Sequence, residues 1–127
     1  MKKAILLIFS SIVLLACGGV KKTQQALNTG NYLTAMNRSI NQLADNKTKR
    51  GHQEFVILLE DAFAKNVKRE LQQINFLKNT GNPARLSEIY EAYVGLKNIQ
   101  QRIQPLLPLP VYAENRNANF DFQKIIL

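Results

Sequence analysis

The chain has 127 residues, a formal net charge of +8 and a single cysteine. Its length holds one small domain with a modest core, and the lone cysteine excludes a disulfide within the chain. Its lysines and arginines are scattered and lack interleaved aromatic residues, which argues against a nucleic-acid interface. They indicate either an ordinary solvated surface or one that meets anionic lipid or polymer.

The first sixteen residues are organised like a secretory signal peptide. Lys2 and Lys3 precede a largely apolar run over residues 4–16. Thirteen helical residues span about 20 Å, whereas the hydrocarbon core of a bilayer is about 30 Å thick. The segment is therefore predicted to be a signal peptide rather than a permanent transmembrane helix.

The end of this segment, Leu14-Leu15-Ala16-Cys17, resembles the lipobox of bacterial lipoproteins. The resemblance implies cleavage between Ala16 and Cys17, a diacylglycerol on the Cys17 thiol and acylation of the new N-terminus. Each buried methylene contributes about 0.8 kcal/mol, so several acyl chains anchor a protein stably. Leu15 is a less usual occupant of its position. The alternative is a buried cysteine at the end of an ordinary signal or core segment.

The residues after Cys17 bear on location. Cleavage leaves 111 residues, and removal of Lys2 and Lys3 lowers the charge from +8 to +6. Gly18 follows the cysteine where enterobacterial lipoproteins of the inner membrane carry Asp, and residues 18–22 contain no acidic side chain. These resemblances imply an outer-membrane lipoprotein that faces the periplasm.

Two helices are predicted in the first half of the mature chain. Residues 17–25 read as the lipidated cysteine and a short polar tether, with helical character from about Thr23. Tyr32–Asp45 is predicted to be a helix with an apolar stripe of Leu33, Met36, Ile40 and Leu43. Residues 46–51 are either a loop or a junction. A helix of about 45 Å follows over residues 49–78, with a stripe of Phe55, Leu59, Ala62, Phe63, Val67, Leu71, Ile74 and Leu77.

The second half contains one more predicted helix, over residues 84–104, with a stripe of Leu86, Ile89, Tyr90, Tyr93, Leu96 and Ile103. Three prolines predict an extended segment over residues 106–112, which is either a linker or a ligand for an aromatic groove. Residues 113–119 read as a polar loop. Residues 120–127 begin another apolar element, either the start of a truncated longer protein or a terminal element that docks on the core.

The sequence Asn-Thr-Gly-Asn occurs twice, at residues 28–31 and 79–82, each time between two helical patterns. Helix stop and start signals explain both copies: Gly for a left-handed residue after one helix, Asn for the N-cap of the next and Pro83 for a helix start. A binding site built from the Asn and Thr side chains is the alternative.

Residues Gly30, Asn31, Tyr32 and Ala35 resemble the second helix of a tetratricopeptide repeat, departing from it at Ser39 and Lys47. The stretch Asn82–Leu109, which begins Asn82-Pro83 after the turn residue Gly81, is similar to tetratricopeptide-like lipoproteins of Bacteroidota. The resemblance implies an all-α fold of antiparallel helical hairpins, a fragment of an α-solenoid, over residues 26–112. It implies no catalytic activity.

Residues with catalytic or metal-binding potential lack supporting partners. His52 is the only histidine, and the sequence predicts an exposed position at a helix start rather than a metal ligand. Ser39 and Ser87 lack a credible base, and Glu88 and Glu91 read as solvent-facing charges near a helix N-terminus. No phosphate loop, cofactor site or small-molecule substrate is indicated. Tyr90 and Tyr93, with Leu86 and Leu96, either form core or line a groove for a partner.

These patterns predict a non-catalytic, membrane-anchored lipoprotein of the bacterial cell envelope that binds or scaffolds another envelope protein. The alternative is an envelope component that binds anionic lipid or polymer through its basic surface.

Overall fold

The structure is a computed structural model, and it describes residues 18–121. The four α-helices of this range are α1 over residues 18–28, α2 (Tyr32–Asp45), α3 (Gln53–Asn79) and α4 (Leu86–Ile103). After α4, two short strands pair antiparallel, β1 (Pro110–Val111) and β2 (Arg116–Asn117). The predicted all-α class is confirmed. The signal segment and Cys17 lie outside the described residues.

The first helix replaces most of the predicted tether. Residues 18–28 are helical, with Val20 packed against the core and Leu27 buried in it. Thr23 is fully buried, and its hydroxyl donates to the carbonyl oxygen of Gly19 at 2.8 Å. These side chains recur at three- and four-residue steps and so share one helix face. A hydroxyl that bonds back to the preceding turn can be buried on such a face.

Helix α2 has the predicted bounds but not the whole predicted stripe. Its buried residues are Ala35, Met36, Ser39, Ile40 and Leu43. Leu33, predicted to be buried, is 50% exposed. At 3.6 residues per turn it lies about 90° round the helix from the centre of the buried face, at the edge of the contact with α3.

Helix α3 is the long helix that the sequence predicts, although it begins four residues later. A 3₁₀ turn, Arg50–His52, precedes Gln53, and the 27 residues of α3 extend over about 40 Å. All of the predicted stripe is buried except Leu71, which is half-buried. Val56, Leu58 and Asn66 are buried as well, so the buried face is wider than a single stripe.

Helix α4 buries only part of its predicted stripe. Leu96 and Ile103 are buried, together with Ile99, which was not predicted, while Ile89 and Tyr93 are half-buried. Leu86 is 65% exposed and Tyr90 70%, so the prediction of burial is wrong for both. The C-terminal part of α4 packs on the core, and the Arg102 guanidinium donates to the Asn37 side chain of α2.

Residues 104–121 return over the helices and form what we call the strap. A 3₁₀ turn, Gln104–Leu106, takes up the first residue of the predicted extended segment, and a cis peptide bond joins Leu107 to Pro108. Leu109, Val111 and Phe120 are buried in the same core as the helices. The strap is therefore part of the hydrophobic core.

Side chains from the start of α3 and the loop before it satisfy the strap backbone. The Lys47 ammonium donates to the carbonyl oxygens of Leu106 and Pro108 at 3.1 and 3.2 Å. The Gln53 amide donates to the carbonyl of Pro110 at 3.2 Å and accepts from the N–H of Tyr112 at 3.3 Å. These bonds join the strap to the loop before α3 and to the first residue of α3, and so fix its path.

Within residues 18–121, no helix has the length and apolar character that crossing a membrane requires.

We expect Leu59→Ala to lower the free energy of unfolding by about 2–5 kcal/mol, because Leu59 is fully buried and its truncation leaves a cavity. Leu33→Ala, the same change at the exposed position on α2, should cost about 0.5 kcal/mol or less. Urea denaturation of both variants measures the difference. Equal costs would mean that Leu33 is packed as the sequence pattern predicts.

Candidate functional site

The residues that the sequence analysis weighed for catalysis are dispersed, and Ser39 and Glu88 have local structural partners. The Ser39 hydroxyl is buried and donates to the carbonyl of Ala35 at 2.9 Å. Glu88 forms an exposed ion pair with Arg85 at 2.6 Å, and Glu91 and Ser87 are exposed. No group of three or more potential metal ligands occurs between residues 18 and 121.

The histidine has a structural position that differs from the predicted one. His52 is only 7% exposed because the 3₁₀ turn before α3 directs its ring inward. Its Nδ1 atom lies 2.6 Å from the carbonyl oxygen of Asn46. A carbonyl only accepts, so Nδ1 carries the proton in this bond. The ring also packs edge-on against Phe55, with centroids 5.7 Å apart. These contacts hold the loop onto the start of α3.

The first Asn-Thr-Gly-Asn turn is held by an arginine from α3. Gly30 has φ of +80°, a left-handed conformation that favours glycine. The Arg69 guanidinium donates to the Gly30 carbonyl at 2.7 Å and lies 4.4 Å from the centroid of the Tyr32 ring. Asn31 makes no side-chain capping bond, contrary to prediction. The fully buried Ala35 allows close packing one turn later.

The second Asn-Thr-Gly-Asn turn has the predicted helix stop and start signals more completely. Gly81 has φ of +64°, and the Asn82 side chain accepts from the N–H of Ala84 at 3.0 Å. Pro83 opens a 3₁₀ turn, with α4 beginning three residues later. Across the hairpin, the Lys78 ammonium donates to the Tyr93 hydroxyl at 3.0 Å. The Asn side chain at this turn thus serves the helix start.

Apolar side chains lie exposed beside this second turn, and we call them the tip surface. Phe76, Leu86 and Tyr90 are large hydrophobic side chains that are 64%, 65% and 70% exposed. A cleft of about 290 Å³ is lined by Leu86, together with Leu77, Lys78, Ile89 and residues of the turn, and Phe76 and Tyr90 are the sequence neighbours of Leu77 and Ile89. Apolar side chains next to a cleft are typical of a protein interaction surface.

A charged cluster joins the strap to the middle of α3. Arg116 donates from both terminal nitrogens to the Glu60 carboxylate at 2.8 Å and from Nε to Glu114 at 2.5 Å. The backbone N–H of Asn119 also donates to Glu60. The hydrogen bonds from Arg116 are the main reason that the pKa of Glu60 is below its ordinary value. Glu60 in turn is the main reason that the pKa of Arg116 is raised.

This cluster was not found from the sequence. Glu60 and Arg116 are 56 residues apart, and neither belongs to a motif. Their pairing depends on the path of the strap, which only the folded chain defines. Arg116 is partly exposed, and both carboxylate oxygens of Glu60 already accept hydrogen bonds. These features indicate a structural role for the pair.

Comparisons of the chain with protein-family models, curated proteins and solved structures found no match. The tetratricopeptide resemblance therefore stays a prediction. The lipobox residues Leu14, Leu15, Ala16 and Cys17 lie outside the described residues, and their role stays a prediction as well.

We expect the stability of the protein to fall with acidification through Glu60. Because its folded-state pKa is lowered from 4.5, the carboxylate stabilises the fold above that pH. The contribution is lost as the pH falls through the lower folded-state pKa. Urea unfolding between roughly pH 7 and pH 3 should show a shallower pH dependence for Glu60→Gln than for the native chain. Glu91→Gln, an exposed control beyond the first turn of α4, should change the slope less than Glu60→Gln does.

Alanine substitutions at two glycines should have opposite effects. Gly81→Ala should destabilise the protein by about 1 kcal/mol because alanine disfavours the left-handed conformation. Gly95 lies inside α4, and a methyl group built on its Cα meets open space, so Gly95→Ala should stabilise by about 0.5–1 kcal/mol. Thermal unfolding of both variants checks the signs. A loss at Gly95 would show that its environment is more crowded than the structure indicates.

Proposed function

We propose that this protein is a lipoprotein of the bacterial cell envelope, with a non-catalytic helical domain that binds or scaffolds another envelope protein. Its anchor is Cys17, acylated after cleavage between Ala16 and Cys17. The support is the order of positive start, short apolar run and lipobox-like sequence. The proposed location is the periplasmic face of the outer membrane.

The finer fold belongs to the same proposal. Helices α1 and α2 form one hairpin and α3 and α4 another, with related turns at Gly30 and Gly81. We take the two hairpins as consecutive units of a tetratricopeptide-like α-solenoid. Such units stack on their neighbours and bury a shared apolar core, whereas a capping unit has a polar outer face. The exposed apolar half of α4 therefore suits a stacking or binding surface better than a cap.

The tip surface is the observation that carries the binding function. The exposed Leu86 lines a cleft together with Leu77 and Ile89, and such a cleft suits a partner that inserts apolar side chains. The titratable side chain in the lining of this cleft is Lys78, and its ammonium donates to the Tyr93 hydroxyl at 3.0 Å. Burial of this surface by a partner removes apolar area from water, which is the main source of affinity in such contacts.

A second function, contact with anionic lipid, is favoured by Lys21 and Lys22. Both are exposed on α1, four and five residues after the proposed anchor. A lysine near an anionic bilayer surface contributes about 1 kcal/mol of attraction. Because the helix starts by residue 18, these charges are held close to the headgroups instead of on a free tether.

The anchor is tested by mass spectrometry of the mature N-terminus after growth with labelled palmitate. We expect the native protein to begin at an acylated Cys17 and to fractionate with membranes. Cys17→Ser should abolish the label and release the protein from the membrane fraction, while Ser87→Ala, a remote exposed control, should change neither. An unmodified Cys17 or a retained Met1 in the native protein would contradict the proposal.

Salt dependence separates the two modes of binding. Association through apolar contacts at the tip surface should weaken in Leu86→Ser/Tyr90→Ser and depend little on salt. Binding to anionic vesicles should weaken in Lys21→Gln/Lys22→Gln and decline between about 50 and 200 mM salt, because screening acts on exposed charges. A tip variant that binds envelope proteins as the native chain does would contradict the partner site.

A further inference from the structure

The loop that joins α2 to α3 presents two basic side chains on a fixed backbone. The side-chain oxygen of Asn46 accepts from the N–H groups of Thr48 and Lys49, both at 3.1 Å. The Lys49 and Arg50 side chains are exposed, and within the described part of the chain they make no hydrogen bond or ion pair. The neighbouring Lys47, by contrast, donates to the strap. The charges of Lys49 and Arg50 are therefore available to an anionic ligand.

An exposed tyrosine of the strap is attached next to this loop. The N–H of Tyr112 donates to the Gln53 side chain at 3.3 Å, and Gln53 begins α3 three residues after Arg50. The Tyr112 side chain itself is 61% exposed. A tyrosine has an apolar ring and a polar hydroxyl, and such side chains are enriched where lipid headgroups meet the acyl chains of a bilayer.

The start of α1 adds two more lysines at the same end of α3. A methyl group built on Gly19 would lie 3.7 Å from the ring of Phe55, in the first turn of α3. The exposed Lys21 and Lys22 follow Gly19 within about 5 Å along α1. We call the exposed cationic and aromatic side chains at this end the basal surface: Lys21, Lys22, Lys49, Arg50 and Tyr112.

Positive charge is concentrated at the basal end of the molecule. Residues 18–22 and 45–54 hold five lysines and arginines against two acidic residues, Asp45 and Glu54, a formal net charge of +3. Residues 76–91, around the tip surface at the other end of α3, hold two basic and two acidic residues and are neutral. Because exposed charges act over only about 10 Å in roughly 0.1 M salt, an anionic surface attracts the basal end.

The arrangement of the basal surface indicates the kind of ligand. Its charges belong to two separate elements, α1 and the loop before α3, so an anionic surface with many charged groups suits them better than one small anion. Its tyrosine belongs to a third element, the strap, and suits a ligand with an apolar layer beneath those groups. A phospholipid bilayer has both features, whereas a soluble polyanion has only the first.

We propose that the basal surface binds the headgroup region of an anionic phospholipid bilayer. The lysines and the arginine lie against lipid phosphates, and the Tyr112 ring lies at the boundary with the acyl chains. The inference rests on the second proposed function, contact with anionic lipid, and assigns that contact to the loop and the strap as well as to α1. It does not depend on acylation of Cys17.

Tryptophan fluorescence tests the position of the strap at the bilayer. The chain contains no tryptophan, so Tyr112→Trp in the full-length Cys17→Ser chain is a single probe. With vesicles of phosphatidylglycerol and phosphatidylcholine, we expect its emission to shift to the blue and to be quenched by brominated acyl chains. Tyr90→Trp, at an equally exposed tyrosine of the tip surface, is the matched control and should show neither effect.

The possible failures of this test have different meanings. Unchanged Tyr112→Trp emission in a chain that binds anionic vesicles would overturn the basal surface and leave the lipid contact standing. Equal binding to anionic vesicles and to vesicles of phosphatidylcholine alone would contradict the lipid contact as well. An equal emission shift with dextran sulfate, a soluble polyanion, would overturn the bilayer as the ligand.

Charge removal gives an independent test. Lys49→Gln/Arg50→Gln should lower partition onto the anionic vesicles roughly tenfold or more, because each basic side chain near such a surface contributes about fivefold. Arg38→Gln/Lys97→Gln removes the same charge from exposed positions on α2 and α4 and should lower partition by less than about threefold. Equal losses in the two double variants would mean that net charge alone governs binding, which would overturn the inference.

Discussion

The first four turns of α3 bury side chains over an arc of about 180°, from Leu58 on one side to Val67 on the other. One partner helix covers a narrower arc than this, since a single helix contact uses one apolar stripe. The chain therefore needs more than one element against this half of α3. Helix α2 covers one part, and strand β1 of the strap contacts another. Most of the remaining architecture follows from this requirement.

The strap has only short strands and 3₁₀ turns, so it can cover a helix only if its other backbone polar groups find partners. Lys47 and Gln53 provide them for residues 106–112, and Glu60 binds the Asn119 N–H. Each of these long polar side chains lies in or near the first half of α3, where the strap passes. The apolar contacts of Leu109, Val111 and Phe120 then become possible without burying unpaired backbone groups. The polar and apolar contacts of the strap depend on each other.

The sequence predicted those elements whose signals are local. The bounds of α2, the long α3 and the left-handed Gly81 follow from helical periodicity and from turn residues that act within a few positions. Periodicity shows which face of a helix is apolar. Whether that face is buried depends on a neighbour elsewhere in the chain. That is why Leu86 and Tyr90 are exposed although they share a stripe with the buried Leu96.

Other features depend on tertiary context alone. Helix α1 has only a few apolar positions between lysines and glutamines, so its sequence reads as a tether until packing is known. His52 is buried because a 3₁₀ turn directs it towards Asn46 and Phe55. The Glu60–Arg116 pair at the strap likewise has no local signal. For Leu86, Tyr90, Tyr93 and Leu96 the sequence left two alternatives, core or groove. Leu96 is buried and Leu86 and Tyr90 are exposed, a difference that helical spacing does not reveal.

The position of α1 shows which end of α3 lies nearest to the proposed anchor. A methyl group built on Gly19 would lie 3.7 Å from the ring of Phe55, so the start of α1 is beside the start of α3. An anchor at Cys17 would then hold the N-terminal end of α3 and the strap nearest the bilayer. The tip surface is at the other end: Phe76 follows Phe55 by 21 residues, or about 30 Å along the helix. A partner bound there would be held away from the lipid headgroups, at a distance that α3 sets.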